Sequence, residues 1–211
     1  MIFLETNEGK GRTLRRWELA ILLGVAFAAL VGPWLGARQD ALADKVVRLH
    51  VVANSDSEAD QALKLRVRDA VLAQAEPLLR GRDRAESLSV LRDALPDLGQ
   101  AAAETVAQEG YTYPVRVSVE EAWFPTKEYG DFALPAGTYT ALRVEVGAAQ
   151  GQNWWCVVFP PLCLGSVTEQ AAQAGFTGEE LGLITGETEG YVIRFQLMEW
   201  WEELKQFFAG K

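Results

Sequence analysis

The chain is short of the residues that most often carry chemistry. Its 211 residues include one histidine, His50, and two cysteines, Cys156 and Cys163. A lone histidine and the absence of any CxxC pair argue against a zinc site. GxSxG, HExxH, a Walker loop and GxGxxG are all missing, so no common nucleophile, metal or nucleotide signature is present. Positive charge is scarce as well. Twenty Lys and Arg stand against 29 Asp and Glu, a formal charge of −9 with a pI near 4.8. Binding to a phosphate backbone needs clustered cations, so nucleic acid is excluded as a partner. Nothing in the chain calls for a cofactor.

Long hydrophobic runs are absent too, with one exception. Leu19 to Leu35, "LAILLGVAFAALVGPWL", carries no charge and follows the basic "GRTLRR". A positive segment followed by an apolar one is the pattern of an export signal. Ala41-Leu42-Ala43 offers a small-residue cleavage site. The run is also at the short limit of a membrane span, with Trp17 and Trp34 flanking it as interfacial anchors do. Residues 1–43 therefore read as a cleaved signal peptide or a retained signal-anchor, and residues 44–211 as one extracytoplasmic domain. At 49% apolar residues, the chain has material for a substantial core. An exported body meets an oxidising compartment, where Cys156 and Cys163 read as a disulfide. Pro160 and Pro161 turn the chain between them. A ring this short contributes about 2–3 kcal/mol if unstrained; two buried thiols are the alternative.

Periodicity supplies the fold. "KVVRLHVVAN" alternates: Val47, Leu49, Val51 and Ala53 form an apolar face, and Val46, Arg48, His50 and Val52 a mixed one. Helical spacing of Leu63, Val67, Ala70, Val71 and Leu78 predicts a helix over 58–79. A second helical region follows over 84–108, interrupted near Pro96 and Gly99. Val115, Val117 and Val119 alternate with polar residues, as do Leu142, Val144 and Val146, which predicts a hairpin with a long loop. "NWWCVVF" is apolar on both faces and reads as a central strand. The end, around Arg194–Phe208, reads as a helix, and Gly165–Gly190 as loop with one short helix. The order βααβββα implies an α+β fold, helices packed on a mostly antiparallel sheet.

Two surfaces stand out as partner-binding candidates. One is the strand-to-helix junction with His50, Asn54, Ser55 and Asp56. The spacing of Ser57 and Asp60 gives it a competing explanation, the capping of a helix. The other is the hairpin loop with Trp123, Phe124, Tyr129 and Phe132, whose aromatic side chains either anchor a partner or pack onto the sheet. Glu120, Glu121 and Asp131 are the carboxylates that a polysaccharide hydrolase would pair across a cleft. No catalytic residue is otherwise indicated.

Three stretches carry a resemblance. "RLHVVANSDSEADQALKLRVRDAVL" (Arg48–Leu72), "WFPTKEYGDFALPAGTYTALRVEVGAAQGQNWWCVVFPPLCL" (Trp123–Leu164) and "RFQLMEWWEELKQFF" (Arg194–Phe208) resemble the stage II sporulation protein R family. The resemblance implies an exported signalling protein of endospore-forming bacteria. It would leave the forespore for the space between the septal membranes. There it would activate a membrane-embedded aspartic protease, which removes the pro-sequence of sigma-E in the mother cell. Such a protein is a ligand and not an enzyme, and the family brings no catalytic residues to this chain. The alternatives are an extracytoplasmic cell-wall or polysaccharide hydrolase and a passive structural protein of the septum.

Overall fold

The computed structural model describes residues 15–129 and 132–162. It divides into two units, Met1–Ala37 and Arg38–Lys211. In the first, the helix α1 (Arg16–Ala43) begins, and Trp17, Leu19, Ile21, Leu22, Leu23, Val25, Phe27 and Leu30 are exposed on it. Among the described residues no helix is long and apolar enough to cross a membrane.

The second unit carries the sheet. Its elements are β1 (Val47–Val52), α2 (Glu58–Leu79), α3 (Arg84–Asp93), α4 (Leu95–Gln108), β2 (Val115–Phe124), β3 (Lys127–Tyr129), β4 (Phe132–Leu134), β5 (Gly137–Val146) and β6 (Asn153–Phe159). The α+β expectation holds, but the sheet is mixed. Its order is β2-β5-β1-β6, with β1 parallel to β5 and antiparallel to β6, and β2 antiparallel to β5. The expected hairpin is there, with Val119 opposite Leu142 and Val117 opposite Val144. Its loop is more ordered than its Gly and Pro content implies, since β3 and β4 pair within it as a small separate ribbon.

The predicted central place of "NWWCVVF" is not observed. Among the described residues β6 lies at the sheet edge, and β1 takes the middle. The doubly apolar character of β6 has another cause: both of its faces are covered. Cys156 and Val158 join the core under the helices, while Val157 joins a second cluster on the far side.

Alternation decides which residue goes where. Val47, Leu49 and Val51 of β1, with Leu142, Val144 and Val146 of β5, meet Leu63, Val67, Val71, Leu91, Leu98 and Val106 of the three helices. The opposite face is covered by smaller pieces. Leu42 and Ala43 at the end of α1, Ala133 and Leu134 of the ribbon, and Leu162 pack there with Val46, Phe124, Tyr139 and Val157.

The helices break where local chemistry dictates. At the start of α3, Asp83 accepts from the Glu86 amide (2.8 Å) and the Glu86 carboxylate accepts from the Asp83 amide (3.4 Å), a complete capping box. The second helical region does not break at Pro96 or Gly99. It divides at Ala94, and Pro96 sits in the first turn of α4, where a missing N–H costs nothing. The predicted C-terminal helix at Arg194–Phe208 and the loop at Gly165–Gly190 lie outside the described residues, as do Cys163 and Asp131.

Two substitutions test this architecture. Asp83→Ala should cost about 1 kcal/mol through the lost cap. Leu98→Ala, at a fully buried site between α4 and the sheet, should cost about 2–5 kcal/mol. Both should lower the urea midpoint with the slope unchanged.

Candidate functional site

The β1–α2 junction is a closed hydrogen-bond system. Ser57 is the N-cap of α2, and its Oγ accepts from the Asp60 amide at 3.2 Å. Asp60 is buried and spends its carboxylate inward. Its Oδ2 accepts from Ser55 Oγ at 2.5 Å and from Asn54 Nδ2 at 2.9 Å. Those two donors, Ser55 foremost and Asn54 next, hold the Asp60 carboxyl below its ordinary value of 3.8.

The same loop grips the connection between β5 and β6. Asn54 Oδ1 accepts from the Ala148 amide (2.9 Å), Asp56 Oδ1 from the Gln152 amide (2.7 Å), and the Ala53 carbonyl from the Gly151 amide (2.9 Å). The fit requires glycine twice. A Cβ on Gly147, at φ +61°, would lie 2.2 Å from Asn54 Oδ1, and one on Gly151 would lie 2.2 Å from the Ser55 carbonyl oxygen. Lys64 completes the tie. Its buried ammonium donates to the Gln152 carbonyl at 3.0 Å and to Gln61 Oε1 at 2.5 Å, and burial lowers its pKa. The capping explanation of the junction therefore holds and extends further. Asn54, Ser55 and Asp56 also bind the β5–β6 turn.

On the far face of the sheet, aromatic rings enclose a cation. Arg48 of β1 is fully buried, with its guanidinium carbon 4.2 Å from the Phe124 ring centre, 5.0 Å from Tyr139 and 5.9 Å from Tyr129. Its Nη2 donates to the Tyr129 hydroxyl. Burial raises the Tyr129 pKa against the opposing influence of Arg48, so the phenol accepts this bond in its neutral form. Tyr139 donates its hydroxyl proton to the Pro135 carbonyl at 2.7 Å, which fixes its ring against Phe124.

His50, one step along the same face, is bonded through Nε2 to Asn153 Oδ1 at 2.7 Å and lies against Phe124 and Trp155. Burial chiefly lowers its pKa, the Asn153 bond opposes that, and Arg143 adds to the lowering. Beside it, Arg143 binds Glu120 at 3.0 Å and Glu145 at 2.8 Å.

The predicted residues thus divide. His50 and Phe124 sit together in the far-face cluster and Tyr129 joins them, so these loop aromatics pack onto the sheet. Trp123 points the other way and is 41% exposed. Phe132 stands opposite Tyr129 in the ribbon, and its side chain lies outside the described part. Glu120 and Glu121 are successive residues of one strand, so they face opposite sides of the sheet. Glu120 meets Arg143, and Glu121 accepts from Thr140 at 2.6 Å. That pair cannot flank one glycosidic bond. Tyr139 and Asn153 were not singled out in the sequence, and Arg48 and Trp155 were read only as parts of their strands. The one available signal was an arginine in a strand that is apolar apart from His50.

The stage II sporulation protein R family model matches residues 43–169. Stage II sporulation protein R of Bacillus subtilis (strain 168) is 35% identical over 183 residues, covering 76% of this chain and 82% of that relative. The chain belongs to the stage II sporulation protein R family. No solved structure matches it. The family match spans both the junction and the far-face cluster, so each lies in the part of the chain that defines membership.

Asp60 gives a test of the junction. Its folded pKa is depressed, so its stabilisation is complete above the unfolded value and lost as pH falls through the folded one. Asp60→Asn should cost about 1–3 kcal/mol at pH 7. The gap from the parent protein should narrow as pH drops below about 3.8, as read by urea unfolding across the acid range.

Proposed function

We propose that this chain is an exported intercellular signal of sporulation. In this reading it crosses from the forespore into the space between the septal membranes. There it activates a membrane-embedded aspartic protease, and the protease removes the pro-sequence of sigma-E in the mother cell. Family membership carries the proposal. The basic N-terminus and the apolar Leu19–Leu35 support export, with the segment cut or kept as an anchor. Cys156, buried on β6, pairs with Cys163 in the oxidising space, across Pro160 and Pro161.

The protein acts by binding. It shifts the protease population toward its active arrangement, which requires tighter binding to that arrangement than to the inactive one. The hydrogen-bonding groups of Asn54 and Ser55 are spent inside the molecule, so their part in contact is confined to the outer rim of the junction. Trp123 is the better anchor. It is a large, exposed aromatic side chain at the end of β2, beside the ribbon, and such residues dominate interface energies.

The test is reconstitution in a host that lacks the system, with this protein exported alongside the protease and a tagged pro-sigma substrate. Cleavage should require both proteins. Trp123→Ala should lower cleavage about tenfold or more while leaving the melting temperature within a degree or so of the parent. Secretion of folded protein without any cleavage would defeat the signalling role.

A further inference from the structure

The cation in the far-face cluster lacks a counter-charge among the described residues. Arg48 is 0% exposed, and among the described residues only its Nη2 has a partner, the neutral Tyr129 hydroxyl. Its Nε and Nη1 are buried without any hydrogen-bond partner among the described residues. None of the described ion pairs includes Arg48. Glu120 and Glu145, on the same sheet face, both serve Arg143. Three rings soften the burial of the charge, yet rings accept no N–H in its plane. A buried cation with two unmet donors is a costly arrangement unless an anion completes it.

A second observation points to the same place. Phe124, against which the guanidinium rests, also touches His50 at 5.7 Å and Trp155 at 6.4 Å between ring centres. Each of these carries a buried nitrogen with no partner among the described residues, His50 Nδ1 and Trp155 Nε1. Four unmet nitrogens from β1 and β6 therefore surround one ring of β2. An indole N–H and a guanidinium N–H can only donate, so the missing group must accept.

We propose that Arg48 anchors a binding site for a single carboxylate, with the Trp155 indole as a further donor. Arg143 and Arg116 together balance Glu120 and Glu145, which leaves Arg48 as one uncompensated positive charge on this part of the face. That balance suits a monoanion and not a polyphosphate. The carboxylate comes either from an acidic residue of a partner protein or from a glutamate of this chain beyond Leu162, such as Glu199, Glu202 or Glu203. The site stands on the geometry alone and does not depend on the signalling reading.

The experiment follows the Arg48 Nε–H and Trp155 Nε1–H signals of the full-length, 15N-labelled protein by NMR, with Arg48→Lys identifying the arginine signal. Sodium acetate is the probe, with acetamide and sodium chloride as controls. If the carboxylate is external, acetate shifts both signals saturably in the millimolar range, acetamide and chloride leave them in place, and Arg48→Met abolishes the Trp155 response. If it is internal, acetate has no effect, and a Glu→Gln change beyond Leu162 moves the Arg48 signal instead. Should Arg48→Met fail to fold, Arg48→Lys serves in its place and should weaken the acetate response severalfold. The proposal is overturned if neither acetate nor any Glu→Gln change moves the Arg48 signal, or if acetamide or chloride moves it as far as acetate.

Discussion

Strand β1 forms hydrogen bonds along both edges, parallel to β5 and antiparallel to β6, and this double pairing decides where the rest of the body can go. A parallel neighbour cannot be reached by a tight turn, so the chain must leave the sheet and return. Between β1 and β5 it lays down α2, α3, α4, β2 and the β3–β4 ribbon before coming back. The three helices pack on one face, and Val47, Leu49 and Val51 are buried against them. The other face is left to short pieces: the end of α1, a two-stranded ribbon and the residues after β6. The two faces of β1 accordingly differ in chemistry, one wholly aliphatic, the other carrying Arg48 and His50 among aromatic rings.

That division also explains the polar run after β1. A helix start needs one or two capping groups, and Ser57 with Asp60 meets that need. Asn54 and Asp56 do something else. Their carbonyl and carboxylate oxygens bind amides 94 and 96 residues downstream, locking the turn that delivers β6 to the free edge of β1. Gly147 and Gly151 belong to the same fit, since a side chain at either would collide with the junction. The loop that most resembles a reaction site is thus the fastening that holds the two edges of β1 in register.

How far the sequence could be read follows from the range of each interaction. The helices, the β2–β5 hairpin and the Ser57 cap rest on contacts between near neighbours or on alternation along one strand, and all were legible. The α3–α4 boundary was misplaced by a few residues because Pro96 begins a helix as readily as it ends one. The edge position of β6 was hidden: apolar residues on both faces signal that both are covered, whether the strand is central or not. The ribbon was missed because strands of three residues leave almost no pattern. Phe124 and Tyr129 were singled out as loop aromatics, but their shared partner, Arg48, stands 81 residues from Tyr129. No spacing rule joins such positions.

Arg48 is the residue that stability alone explains least well. Replacing a buried ionic group by an apolar side chain of similar volume is often neutral or stabilising, by about 1–4 kcal/mol in favourable cases. Much of the surface around Arg48 on this face is already apolar, since Phe124 and Tyr139 lie against it and belong to one cluster with Val46 and Val157. The Tyr129 hydroxyl would lose the bond it accepts from Arg48 Nη2. The aliphatic face shows that this fold can bury β1 without any charge. A guanidinium on the other face, ringed by unmet donors, therefore makes sense as a recognition element held ready, its cost of burial offset when a carboxylate arrives.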